Sequence, residues 1–92
     1  QLEIATTPIP KNKSLAKKDA DLMFLEAKKA TNHIIYFGTS ENKLKKVAKL
    51  TNSNIYTPKK LVAGTTYFWR VDAVVSDTVI NGDIWSFTVD TE

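Results

Sequence analysis

The 92-residue sequence has no cysteine, a single histidine, a single arginine and only three glycines and three prolines. Without cysteine there are no disulfides, no thiolate nucleophile and no zinc site of the cysteine type, although the compartment stays open because a sufficient core can hold an exported domain without staples. The glycines stand apart at 38, 64 and 82, so there is no phosphate loop and no dinucleotide fingerprint. No apolar run approaches the roughly 18 residues of a membrane helix, and no signal peptide precedes Gln1, which reads as a cut made inside a longer chain. The lone histidine, His33, lies in an alternating apolar stretch and is expected to be a packed or rim residue, not the base of a Ser-His-Asp triad.

Arginine scarcity bears on partners. Residues 1–61 hold all twelve lysines against five acids, and residues 62–92 hold Arg70 against five acids, so the net +3 hides a basic first part and an acidic end. A nucleic-acid reader is expected to use more arginine, whose planar fork grips phosphate and guanine in two places. Dispersed lysines instead suit solvated strand faces and edges. The expectation is therefore no nucleic acid, no membrane insertion and no cofactor.

Among what is present, 42% of residues are hydrophobic and 25% charged, the balance of an ordinary globular domain. At this length one core is expected, with about 60–70% of the unfolded surface buried, and little room for a cleft. The dominant hydrophobic period is 2. In TYFWRVDAV, Tyr67, Trp69, Val71 and Ala73 share one face while Phe68, Arg70, Asp72 and Val74 share the other. HIIYFG opposes His33, Ile35 and Phe37 to Ile34 and Tyr36, and DIWSFTV groups Trp85, Phe87 and Val89.

Shorter strands are predicted over Leu2–Thr6, Asp21–Ala27 and Asn54–Pro58. ENKLKKVAKL, residues 41–50, is read as an edge strand, with a short helix as the alternative because Leu44, Val47 and Ala48 also sit at helical spacing. PIPKNKS, KKATN, GTSEN, TNSN, PKKLVAGT and SDT read as the breaks between strands. The last hairpin turns at Ser76, Asp77 and Thr78 and returns through Val79 to Val89. Within that return Asn81-Gly82 is either a bulge that resets the inward set or the hairpin turn itself. Leu61-x-x-Gly64-x-x-Tyr67 matches a tyrosine corner, in which the ring packs inside while its hydroxyl bonds the backbone just upstream.

LVAGTTYFWRVDAV, with IIYFGTSENKL before it and NGDIWSFTV after it, resembles the corresponding stretches of fibronectin type III-like modules of large exported bacterial proteins, many of them polysaccharide-degrading enzymes. The resemblance covers residues 31–92; earlier, Phe24 stands where such modules often carry Trp, and His33 where they carry Tyr. It implies an all-β, immunoglobulin-like sandwich of two sheets and about seven strands, with residues 1–92 as one domain. It also implies an extracellular or cell-surface setting, with neighbouring domains of the same chain as partners.

The predicted core is Phe24, Ile35, Phe37, Leu61, Tyr67, Trp69, Val71, Trp85 and Phe87. Each Trp buries about 150–250 Å², worth about 4–6 kcal/mol at ~25 cal/mol per Å², so both are read as structural. The outward set Ile34, Tyr36, Phe68, Arg70 and Val74 is the candidate interaction face. It is read either as ordinary cross-strand pairing, with Arg70 lying over the aromatics, or as a surface that packs against another domain or copy. No catalytic constellation is predicted. Glu3, Glu26, Glu41, Asp72, Asp77 and Asp83 form no evident carboxylate pair across a cleft. Asp77, Thr78, Asn81 and Asp83 are explained by turn formation instead of by calcium, and the sequon Asn12-Lys13-Ser14 is a common chance triplet. The expected role is a non-catalytic spacer and packing module. The alternative is a module that binds polysaccharide or a surface protein through exposed Tyr36, Phe68 or Tyr56, and an independent enzyme is the least favoured.

Overall fold

A computed structural model of the chain describes residues 3–91. These form nine strands: β1 (Thr6–Ile9), β2 (Ser14–Ala16), β3 (Leu22–Leu25), β4 (Asn32–Gly38), β5 (Lys45–Thr51), β6 (Ile55–Tyr56), β7 (Thr66–Val75), β8 (Thr78–Ile80) and β9 (Ile84–Val89). A three-stranded sheet runs β1-β3-β6; a second sheet runs β2-β9-β7-β4-β5, with β8 pairing β7 alongside it. The architecture is the all-β two-sheet sandwich.

Every strand except β2 falls at least in part on a predicted segment, and the departures have physical reasons. The strand predicted at Leu2–Thr6 begins instead at Thr6 and runs into the segment read as a break; Leu2 itself lies outside the described residues. Its pairing with β3 slips between Thr6 and Ile9, where Thr7 adopts a φ of 55° ahead of Pro8, so the period-2 signal is lost. A proline is tolerated there because β1 is an edge strand. β2 was missed altogether. Three residues are too few to show an alternation, and β2 exists because it lies parallel to β9, with Ser14 against Phe87 and Ala16 against Val89. Residues 45–51 form an edge strand, since Ala48 and Leu50 turn toward the core while lysines take the solvent side.

The return from the last turn is divided in two. Ser76 and Asp77 both adopt positive φ, 46° and 65°, which gives the two-residue turn whose twist suits a hairpin. β8 then pairs Val74 with Val79 and Ala73 with Ile80, whereas β9 pairs Arg70 with Ile84 and Trp69 with Trp85. Three residues, Asn81 to Asp83, thus oppose two on β7, Val71 and Asp72. This is a bulge, and it turns Trp85 and Phe87 inward. Gly82 sits against the Val71 carbonyl oxygen so closely that a Cβ would collide with it.

Between the sheets lie Phe24, Ile35, Leu61, Tyr67, Trp69, Val71, Trp85 and Phe87, all buried, with Phe37 half-buried against them. Register explains the cluster: Phe37, Trp69 and Trp85 stand side by side on three adjacent strands. The two indoles meet edge to face at 4.9 Å, and Phe37 stacks on Tyr67 at 5.1 Å. The tyrosine corner is made by the Val62 N–H donating to the Tyr67 hydroxyl at 2.9 Å, while Gly64, at φ 80°, lets the turn before β7 close and donates its N–H to Val89.

His33 is buried beside Phe24, with ring centroids 5.0 Å apart, and its Nε2 accepts the Ala27 N–H at 3.1 Å. Burial lowers its pKa, and the nearby Glu26 only partly opposes this.

Two measurements follow. Gly82→Ala is expected to cost about 1–3 kcal/mol in urea unfolding, because the methyl group must displace backbone rather than a flexible side chain. Because the folded pKa of His33 lies below the unfolded value of about 6.5, the unfolded chain binds more protons, and stability falls as pH drops below that value. The contribution is intact above about pH 6.5. Unfolding free energies measured from pH 7 to pH 5 should decline for the native chain and stay level for His33→Gln.

Candidate interaction face

The face of the larger sheet turned away from the core is assembled by register. β4 and β7 place Tyr36 opposite Arg70, Ile34 opposite Asp72, Asn32 opposite Val74 and Gly38 opposite Phe68. β5 adds Lys46 beside Tyr36 and Lys49 beside Ile34, with a slip in pairing that leaves Val47 as the extra residue. On the other side Val79 lies by Val74 and Ile84 by Arg70. The five residues predicted for this face, Ile34, Tyr36, Phe68, Arg70 and Val74, therefore share it, each half-buried.

At the centre is an interaction the sequence reading missed. Asp72 is only 2% exposed although its strand position points outward. The Arg70 Nε–H donates to one carboxylate oxygen at 2.8 Å, a terminal guanidinium N–H donates to the other at 3.0 Å, and the Gly82 N–H donates to the first at 3.1 Å. The guanidinium also lies over the Tyr36 ring, 4.3 Å from its centroid. A signal for this existed: Arg70 and Asp72 are two apart on one strand and so must share a face. What could not be read was that the bulge folds its own N–H onto the same carboxylate.

The aromatic side chains proposed as a sugar platform are less open than that role needs. Tyr36 is covered by Arg70, Phe68 is half-buried, and Tyr56 packs against the core with its ring 6.5 Å from Phe37. The more exposed apolar side chains are aliphatic, Val79 at 53% and Ile84 at 40% on this face.

Elsewhere the surface has depressions. One of about 350 Å³ is bordered by Phe37, Val47, Tyr56, Pro58, Lys59 and Lys60. Another, of about 480 Å³, brings Asp19 and Asp90 together with Lys17 and Lys18. Among the described residues no three acidic or histidine side chains gather as a metal would require, and no helix is long and apolar enough to cross a membrane. Asp77 serves the hairpin turn, and Asn81 and Asp83 belong to the bulge. Asn12 of the sequon accepts the Ser86 N–H, tying β9 to the segment before β2.

Asp72→Ala is expected to lower stability by about 2–3 kcal/mol, at or just under the low end for breaking a buried pair, because Arg70 is one-quarter exposed and can turn to water. Asp72→Asn should cost less, since its amide oxygen can still accept the Gly82 N–H. Chemical denaturation of the two variants checks the order.

No family model and no curated protein sequence matches the chain. Among solved structures, it is similar to an Fn3-like protein from Clostridium thermocellum, with a TM-score of 0.74 and 20% identity over 94% of this chain and 91% of that one. It is also similar to part of a β-1,2-glucanase from Parabacteroides distasonis, with a TM-score of 0.69 and 16% identity. That match spans 98% of this chain but 13% of the glucanase. At these identities the likeness is one of fold, and the fold is a fibronectin type III-like β-sandwich.

Proposed function

We propose that the chain is a non-catalytic accessory module, a spacer and packing surface within a secreted or cell-surface multidomain protein of a bacterium, one that degrades polysaccharide. The supporting observation is that a sandwich of this shape makes up 13% of a β-1,2-glucanase chain, matched across nearly all of the present one. A domain so placed can set the distance and angle between its neighbours. Its rigidity comes from the ring cluster between the sheets, and its outer face offers aliphatic side chains to a neighbouring domain of the same chain.

The alternative, a polysaccharide- or protein-binding module, needs flat and accessible rings; the coverage of Tyr36 by Arg70 weighs against it. Isothermal titration of the 92-residue chain with soluble β-1,2-glucan, β-1,3-glucan, xylan and mannan is expected to give flat heats, and reducing-sugar assays no release. Saturable binding to any of these polymers would replace the spacer reading with the binding one, and turnover would replace both.

A further inference from the structure

Both sheets end on one flank. β5 is the last strand of the larger sheet and β6 the last of the smaller, and Val47 of the one and Tyr56 of the other border the same depression of about 350 Å³. Among the described residues no strand pairs with the far side of β5, so its outer row of backbone groups is a template for one more strand. The charge around this template is of one sign. Between Glu41 and Asp72 the sequence holds six lysines and no acid. Lys45, Lys46 and Lys49 lie on β5 itself, and Lys59 and Lys60 border the depression. Asp21, which reaches this flank from just before β3, accepts the Thr57 hydroxyl. Two copies meeting edge to edge here would set lysine against lysine, the device by which edges avoid self-pairing, whereas an acidic strand meets the opposite charge.

We infer that β5 accepts, as an added strand, an extended segment in which acidic and aliphatic residues alternate, supplied by a neighbouring domain of the same chain. The alternation is dictated by β5. Lys46 and Lys49 stand on its outward side, beside Tyr36 and Ile34, while Ala48 and Leu50 turn toward the core. A strand laid alongside at ~4.8 Å presents its own residues to the same two sides. Acids then stand next to the lysines, and aliphatic side chains next to Ala48 and Leu50, where the depression receives one of them. Val47, 39% exposed, and the half-buried rings of Phe37 and Tyr56, 6.5 Å apart, give that side chain an apolar seat. Main-chain hydrogen bonds supply the affinity and the alternate side chains the specificity. Little affinity is needed, since a segment tethered in the same chain acts at an effective concentration in the millimolar range.

The inference takes the source of the segment from the spacer reading and goes beyond it in naming a second docking surface and its occupant. The probe is a short capped peptide that alternates valine with glutamate, titrated into the isotope-labelled 92-residue chain and followed by amide NMR. Shifts should concentrate on residues 45–51 and 56–60, with a Kd of about 0.1–1 mM that weakens as salt is added. Neighbouring residues of a strand present their N–H groups to opposite edges. Methylating every valine nitrogen in one peptide and every glutamate nitrogen in another should therefore abolish binding in one and leave it within about threefold in the other. Lys46→Glu with Lys49→Glu should weaken the glutamate peptide at least tenfold and bind the matching valine–lysine peptide instead, with the circular dichroism spectrum and Tm nearly unchanged. Absence of shifts with the glutamate peptide, two methylated peptides that bind alike, or an oligogalacturonate of equal charge that binds as tightly at the same amides would overturn the inference. Any of these results leaves the spacer reading standing, because that reading answers to the titration with polysaccharides.

Discussion

The Asp72 carboxylate ties β7 to the bulge between β8 and β9. It sits on the outward side of the longest strand, yet it accepts three N–H bonds, two from Arg70 and one from the backbone of Gly82. The last of these anchors the bulge, and the bulge determines which side chains of β9 face the core. With two residues rather than three opposite Val71 and Asp72, every side chain of β9 would change sides. Trp85, Phe87 and Val89 would meet water, and Ile84, Ser86 and Thr88 would occupy the interior. A polar contact on the surface thus governs the apolar content of the core, which is why the ring cluster and the interaction face are parts of one arrangement.

Much of this was legible. The alternation in Tyr67–Ala73 names one wall of the core, and the paired strands Asn32–Gly38 and Thr66–Val75 follow it residue for residue. The spacing Leu61, Gly64, Tyr67 announces the corner because the chemistry is local: a phenol hydroxyl can reach only the backbone a few residues upstream. The face Ile34, Tyr36, Phe68, Arg70 and Val74 follows once two strands are taken as neighbours. Asn81-Gly82 carried two readings, a bulge and a turn, and the positive φ angles of Ser76 and Asp77 claim the turn.

What stayed hidden was non-local. β2 has no pattern of its own and is defined by the backbone of β9, more than seventy residues later in the chain. The burial of Asp72 depends on a backbone N–H ten residues away. The beginning of β1 is blurred by Thr7 and Pro8, whose backbone breaks the period. In the first two cases the missing information is a hydrogen bond between segments that share no motif; in the third it is a local backbone irregularity.

The parallel pairing of β2 with β9 has a mechanical consequence. Beside the short parallel ladder, the Lys13 N–H donates to Ser86 at 2.7 Å and the Asp90 N–H to Ala16 at 2.8 Å. A pull applied between Ser14 and Val89 draws these two strands past each other lengthwise. The bonds between them are then loaded in shear and share the force, instead of opening one by one like a zipper. Under such a load, resistance to stretching is governed by the rate of rupture at that seam.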